Sequence, residues 1–167
     1  MKMTREWSRI DPDELEVILP FLQTVPVKIA GIARALGVEV KSATLKPRIS
    51  GQIQPSNTSK SGFRIRVNRH EPSVRQRFTI AHEIAHYLLH RDQIGDGLED
   101  TILYRSTLSD RREAEANRLA ADLIMPRALI TQLLREKNSA PTVEVAGELA
   151  LQFEVSEAAM MIRLGLK

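Results

Sequence analysis

The sequence predicts an α+β fold, mostly helical, with a small antiparallel sheet of about three strands. Three observations predict it. Between Val38 and Asn68, short apolar–polar alternations flank a polar turn. From Val74 to the end the apolar spacing is helical, broken by a loop near 91–109. The 167 residues, 43% apolar and 27% charged, suit one compact domain or one domain with a small appendage. This composition excludes full disorder and fibrous architectures. The absence of cysteine excludes a disulfide scaffold and any thiolate metal site. With 4% aromatics the core must be aliphatic. No run of about 18 uncharged apolar residues exists, so no membrane-spanning helix is expected. The start, Met1 to Glu6, reaches no apolar stretch, so no secretion signal is read and the cytoplasm is the expected compartment.

The elements follow in order. Residues 11–23 read as a first helix, with Asp11 as N-cap, Pro12 at the first helical position and Leu15, Ile18, Leu19 and Leu22 as its apolar stripe. Pro20 should kink or end it. Val27 to Leu36 reads as a second helix with Gly37 placed to stop it. Strands are expected at Val38–Leu45, Ile49–Ile53 and Phe63–Asn68. The last two flank the turn chemistry of Gln54 to Gly62. Past residue 140, Glu144–Phe153, Glu154–Ser156 and Glu157–Leu164 read as helix, turn, helix, with Ser156 as an N-cap.

Charge is unevenly placed. Residues 41–80 hold nine basic side chains against Glu71 alone, a local +8 in a chain of +3, so the remainder is net acidic. A basic block can face nucleic acid or an acidic peptide. Arg64 and Arg66 alternate with Phe63, Ile65 and Val67, which is the outward face of a half-buried strand.

The sharpest signal is His82-Glu83-Ile84-Ala85-His86. On a wheel of about 100° per residue, Phe78, Ala81, Ile84, Ala85, Leu88 and Leu89 share one broad arc, and Ile80 and Tyr87 lie opposite. A helix apolar nearly all round is buried. Burying His82, Glu83, His86 and His90 in it without partners would cost several kcal/mol. A divalent metal compensates. His82 and His86 are one turn apart and reach the same ion. Glu83 is displaced from that line, where it can hold a water and take its proton, the general-base role of an HExxH helix.

A third ligand is still needed. The HExxHxxGxxH class would put it at residue 92, but Asp92 stands there and Leu89 replaces the glycine. His90 is a possible ligand, although three residues at i, i+4 and i+8 lie nearly in line and suit a tetrahedral ion poorly. A role beside the site or lining its cleft fits it better. In Arg111–Ile124, the face built from Ala116, Leu119, Ala120, Leu123 and Ile124 also carries Glu113 and Asn117. Glu113 on a core-facing side needs a partner, which the metal supplies. Asn117, one turn on, is placed to hydrogen-bond the back of a ligand imidazole. Glu115 falls opposite, with Arg118 and Asp122, where a surface i,i+3 pair with Arg118 is expected. Small residues Ala114, Ala116, Ala120 and Ala121 would let this helix lie close to the His82 helix.

Two segments carry a family resemblance: Arg75-Gln76-Arg77-Phe78-Thr79-Ile80-Ala81-His82-Glu83-Ile84-Ala85-His86, and Glu113-Ala114-Glu115-Ala116-Asn117-Arg118-Leu119-Ala120-Ala121-Asp122-Leu123-Ile124-Met125-Pro126. Together they resemble the ImmA/IrrE family of metallopeptidases. The second is similar to that family's E-x-E-A-N-x-F-A-x-x-L-L-M-P block, with Leu119 for the usual Phe and Ile124 for a Leu. Weaker echoes at Val27–Val40, Ser50-Gly51, Val67-Asn68 and Phe153–Ala159 extend the resemblance over most of the chain from about residue 25. The pair of blocks is specific, whereas HExxH alone is not. The resemblance implies a compact zinc metallo-endopeptidase with the small sheet packed on the HExxH helix. It implies one Zn2+ ion held by His82, His86 and Glu113, with Glu83 as the catalytic base. It further implies a cytoplasmic hydrolase acting in transcription regulation, which cleaves a helix-turn-helix repressor of a mobile element or a stress response.

On this reading residues 1–126 form the metallopeptidase-like domain and 127–167 a C-terminal helical subdomain resembling a helix-turn-helix. Direct nucleic-acid binding is not expected. The candidate reading helix, Ser156 to Leu164, presents Glu157 at its start and a single basic residue near its far end, which repels phosphates. The alternative to an enzyme is a non-catalytic, antitoxin-like binding module of the same fold that sequesters a regulator or toxin. The second oxyanion donor is open among Tyr104, His90 and an arginine from 64–77.

Overall fold

A computed structural model describes residues 4–101 and 110–167. The chain opens with a 3-10 turn, Arg5–Arg9, followed by α1 (Pro12–Ile18). The Asp11 carboxylate caps α1, accepting from the Asp13 backbone N–H at 2.9 Å. Beyond Ile18 the chain tightens into a 3-10 helix, Leu19–Gln23, where Pro20 has no N–H to continue the α ladder. Helix α2 (Ile29–Ala35) ends before Gly37, whose φ of +81° is the left-handed conformation a helix stop requires.

Four strands follow: β1 (Glu39–Ala43), β2 (Ile49–Pro55), β3 (Phe63–Asn68) and β4 (Leu98–Thr101). They lie in the order β1-β3-β2-β4. β2 and β3 form the expected hairpin, and β4 pairs antiparallel on the other side of β2. Two features correct the expectation of about three antiparallel strands. β1 runs parallel to β3, so the sheet is mixed. β4 lies within the stretch read as loop. Its Leu98-Glu99-Asp100-Thr101 has little strand propensity of its own and forms by pairing with the exposed edge of β2.

The sheet turns Ile53, Ile65 and Val67 inward. In the aligned rows of the other face, Arg64 donates to Glu39 Oε2 at 3.2 Å and Arg66 to Gln52 Oε1 at 2.8 Å. The strand portion of the basic block is thus an outer sheet face, as its alternation predicts. Arg77 differs: its guanidinium donates to the carbonyls of Val27, Phe153 and Glu154 and ties the end of the Val143–Phe153 helix to the segment just before α2.

Helix α3 (Ser73–Leu89) carries HExxH and is buried without interruption from Thr79 to Leu88, in line with its all-round apolarity. The sheet packs on it through β2 and β3, and α4 (Asp110–Ile124) lies along it. The helix meets the sheet closely at Gly51, where an added Cβ would sit 2.5 Å from Thr79 Cγ2. Only glycine admits this contact, and the β2–β4 register shifts between Ile49 and Gly51 beside it.

Helices α5 (Arg127–Glu136), α6 (Val143–Phe153) and α7 (Glu157–Arg163) complete the chain. Ser156 Oγ accepts from Ala159 N–H at 3.0 Å and caps α7 as expected. One hydrophobic cluster runs from Trp7 through α3 and α4 to Phe153 and Met160. The side of α4 carrying Glu115, Arg118 and Asp122 is not a solvent face. The N-terminal turn covers it, so the predicted Glu115–Arg118 surface pair gives way to longer-range pairs. Arg118 donates to Glu6 Oε1 at 2.9 and 2.6 Å. Asp122 accepts from Trp7 Nε1 at 2.8 Å, Thr4 Oγ1 at 2.8 Å and Arg163 Nη2 at 2.7 Å. No described helix is long and apolar enough to cross a membrane.

Candidate metal centre

His82 and His86 project from the same side of α3, one turn apart, with ring centroids 4.6 Å apart and nearly perpendicular. The small residues of α4 let it approach, and Glu113 in its first turn meets both rings. Glu113 Oε2 lies 3.1 Å from His82 Nε2, and Oε1 lies 3.1 Å from His86 Nε2. The three residues are buried and offer ligand atoms all within 4.8 Å of one another. Two imidazoles and a carboxylate are the donor set of a zinc-type site that keeps one position for water or substrate.

Both ring orientations are set from behind. Asn117 Oδ1 lies 2.8 Å from His82 Nδ1, where the sequence places it. His90 Nδ1 lies 2.9 Å from His86 Nδ1. With each Nδ1 engaged, each Nε2 is left to point at the Glu113 carboxylate. A lone pair facing a carboxylate oxygen is repulsive until a cation stands between them, so the residues present fit a divalent ion.

Glu83 is fully buried and on the sheet side of α3. A Cβ at Gly51 would sit 3.7 Å from Glu83 Oε1, so its carboxylate lies against β2.

His90 is fully buried at the C-cap of α3, outside the ligand group. Its Nε2 lies 3.0 Å from Glu115 Oε1, and Glu115 also takes a short charge-assisted bond from Arg9 Nη1. Burial pushes the His90 imidazole below its ordinary pKa, against the opposing pull of Glu115. Burial raises Glu115, but its bonds from His90 and Arg9 outweigh this and hold it below the usual carboxylate range.

Of the three sources proposed for a second oxyanion donor, His90 has both ring nitrogens engaged. Arg64 and Arg66 lie on the outer sheet face, and Arg77 is bound to backbone carbonyls. Tyr104 falls outside the described residues. Sequence reasoning missed the roles of Glu115 and Arg9. The only signal was His90, one turn beyond His86, on a helix too apolar to leave it without a partner.

An HExxH helix whose histidines share a carboxylate with a neighbouring helix, beneath a small sheet, defines a metallopeptidase-like α+β domain. Residues 33–165 match the IrrE N-terminal-like domain (Peptidase M78), and the chain belongs to that family. No curated protein matches it.

Proposed function

We propose that the chain is a zinc-dependent endopeptidase of the ImmA/IrrE type, acting in the cytoplasm. Its proposed substrate is a helix-turn-helix transcriptional repressor, whose cleavage relieves repression in a mobile element or a stress response. The observation that carries the reading is the convergence of His82, His86 and Glu113 from two helices, with both Nε2 atoms aimed at one carboxylate. Membership of a peptidase family supports it.

His82, His86 and Glu113 would hold the ion, which when bound makes a water more acidic and polarises the scissile carbonyl. Asn117 orients His82 through its Nδ1. Glu83 takes a proton from the attacking water as its oxygen bonds to the carbonyl carbon. The same carboxyl returns that proton to the amide nitrogen as the C–N bond breaks. Burial of Glu83 beside Gly51 keeps bulk water from competing for this proton.

The test is incubation of the chain with a candidate helix-turn-helix repressor, chosen from its neighbouring reading frames, with and without a chelator. Fragments only without chelator are the expected result. Complex formation with no fragment supports the binding-module alternative instead. Glu83→Gln should keep full zinc content by mass spectrometry and lower the cleavage rate by a factor of at least about 10²–10⁴. Retained cleavage, or lost metal, overturns the role given to Glu83.

A further inference from the structure

We propose that His90 and Glu115 are positioning residues that fix the tautomer of His86. The pair commits His86 to offering a bare Nε2 to the metal. The inference rests on the metal-centre reading above and adds two residues that touch neither ion nor substrate.

It follows from counting protons along one chain of atoms. An ionised carboxylate only accepts hydrogen bonds. Glu115 also carries the contact from Arg9, so its Oε1, 3.0 Å from His90 Nε2, must receive a proton from that nitrogen. At the other end of the chain, His86 Nε2 must be free of a proton to hold a metal, so the one N–H of that ring stands on Nδ1. His90 Nδ1 is 2.9 Å from His86 Nδ1, and one of the two must donate. The donor is therefore His86. With its proton on Nδ1, neutral His86 has its lone pair on Nε2, which faces Glu113 at 3.1 Å.

The relay is rigid. His86 and His90 are fully buried, Glu115 nearly so, and α3 and α4 hold both ends. His82 reaches the same state through Asn117, so each ligand ring has its own orienting acceptor. The two acceptors differ in kind. The Asn117 amide is local to the site, whereas the His90 relay reaches through Glu115 to Arg9 in the N-terminal turn. That turn is thereby a structural support of the metal site.

The experiment compares zinc dissociation constants, by chelator competition, for wild type, His90→Leu, His90→Asn and Glu115→Gln. His90→Leu removes the acceptor and should weaken zinc by about 10–100-fold. His90→Asn keeps an oxygen where Nδ1 stood and should recover most of that loss. A merely space-filling role predicts the reverse, since leucine fills the site at least as well. Glu115→Gln should fall between. Nitrogen-15 spectra of metal-free wild type add a readout that needs no variant: His86 should carry its proton on Nδ1. Wild-type zinc binding with unchanged affinity in His90→Leu, or a His86 protonated on Nε2 alone, overturns the proposal and leaves the metal centre standing. A wild type that binds no zinc overturns the metal-centre reading itself.

Discussion

Glu6 stands five residues ahead of the Asp11 cap, in no motif at all, yet it is buried and receives the Arg118 guanidinium at 2.6 Å. Burial raises its pKa, but the hydrogen bonds from Arg118 outweigh that, and the carboxyl sits below its ordinary 4.5. A carboxyl with a depressed folded pKa binds protons more readily once unfolded. Its contribution is therefore complete above about 4.5 and fades as the pH falls through the lower folded value. Glu6→Gln should cost about 1.5–3 kcal/mol at pH 7, the loss of charge-assisted bonds. It should also flatten the decline of stability between pH 5 and 3, read from urea midpoints. An equally steep decline in the variant would place the acid sensitivity elsewhere. The wheel of α4 gave Glu115, Arg118 and Asp122 their angle correctly. It could not show that a segment from 110 residues earlier covers that side. Glu113 and Asn117 were legible for the opposite reason: a carboxylate on an apolar face demands a partner, and HExxH supplied one.

At the scale of elements, periodicity located α2, α3, α6, α7 and the β2–β3 hairpin, because each carries its own apolar pattern and its own caps or turn. β4 and the direction of β1 were not legible. Alternation in β1 is the same whether its neighbour runs parallel or antiparallel, and β4 exists only through β2. Gly51 shows how tightly these elements are fitted. Its missing side chain lets β2 close onto α3 at Thr79, and Glu83 lies next to that contact. Gly51→Ala should destabilise by about 1–3 kcal/mol, since buried Thr79 and the Arg66 carbonyl leave the methyl no room. Thr79→Ser removes the nearest obstacle, so the double variant should recover about 1 kcal/mol of coupling energy. Strict additivity in chemical unfolding would show that strand and helix are not in close contact there.

At the scale of the whole molecule, the candidate metal centre draws on two helices, its donors His86 and Glu113 standing 27 residues apart in the chain, and their meeting depends on folding. His82 and His86 can bind an ion from α3 alone, but Glu113 reaches it only when α4 is docked. An ion that binds the native state and not the unfolded one stabilises it by RT ln(1 + [L]/Kd), about 2.7 kcal/mol at a hundredfold excess over Kd. For a chain of this size that is a rise in Tm of roughly 5–10 °C. Glu83→Gln should keep the whole shift, because the three donors are His82, His86 and Glu113. His82→Ala should abolish it at the same zinc concentration. Glu113→Ala should retain only the fraction that two histidines on one helix supply. The shift is measured as zinc is titrated into chelator-treated protein, with magnesium as the control for nonspecific divalent effects. If Glu113→Ala keeps the full shift, α4 contributes no ligand. The ion would then stabilise α3 alone, and the convergence of the two helices would serve packing rather than metal binding.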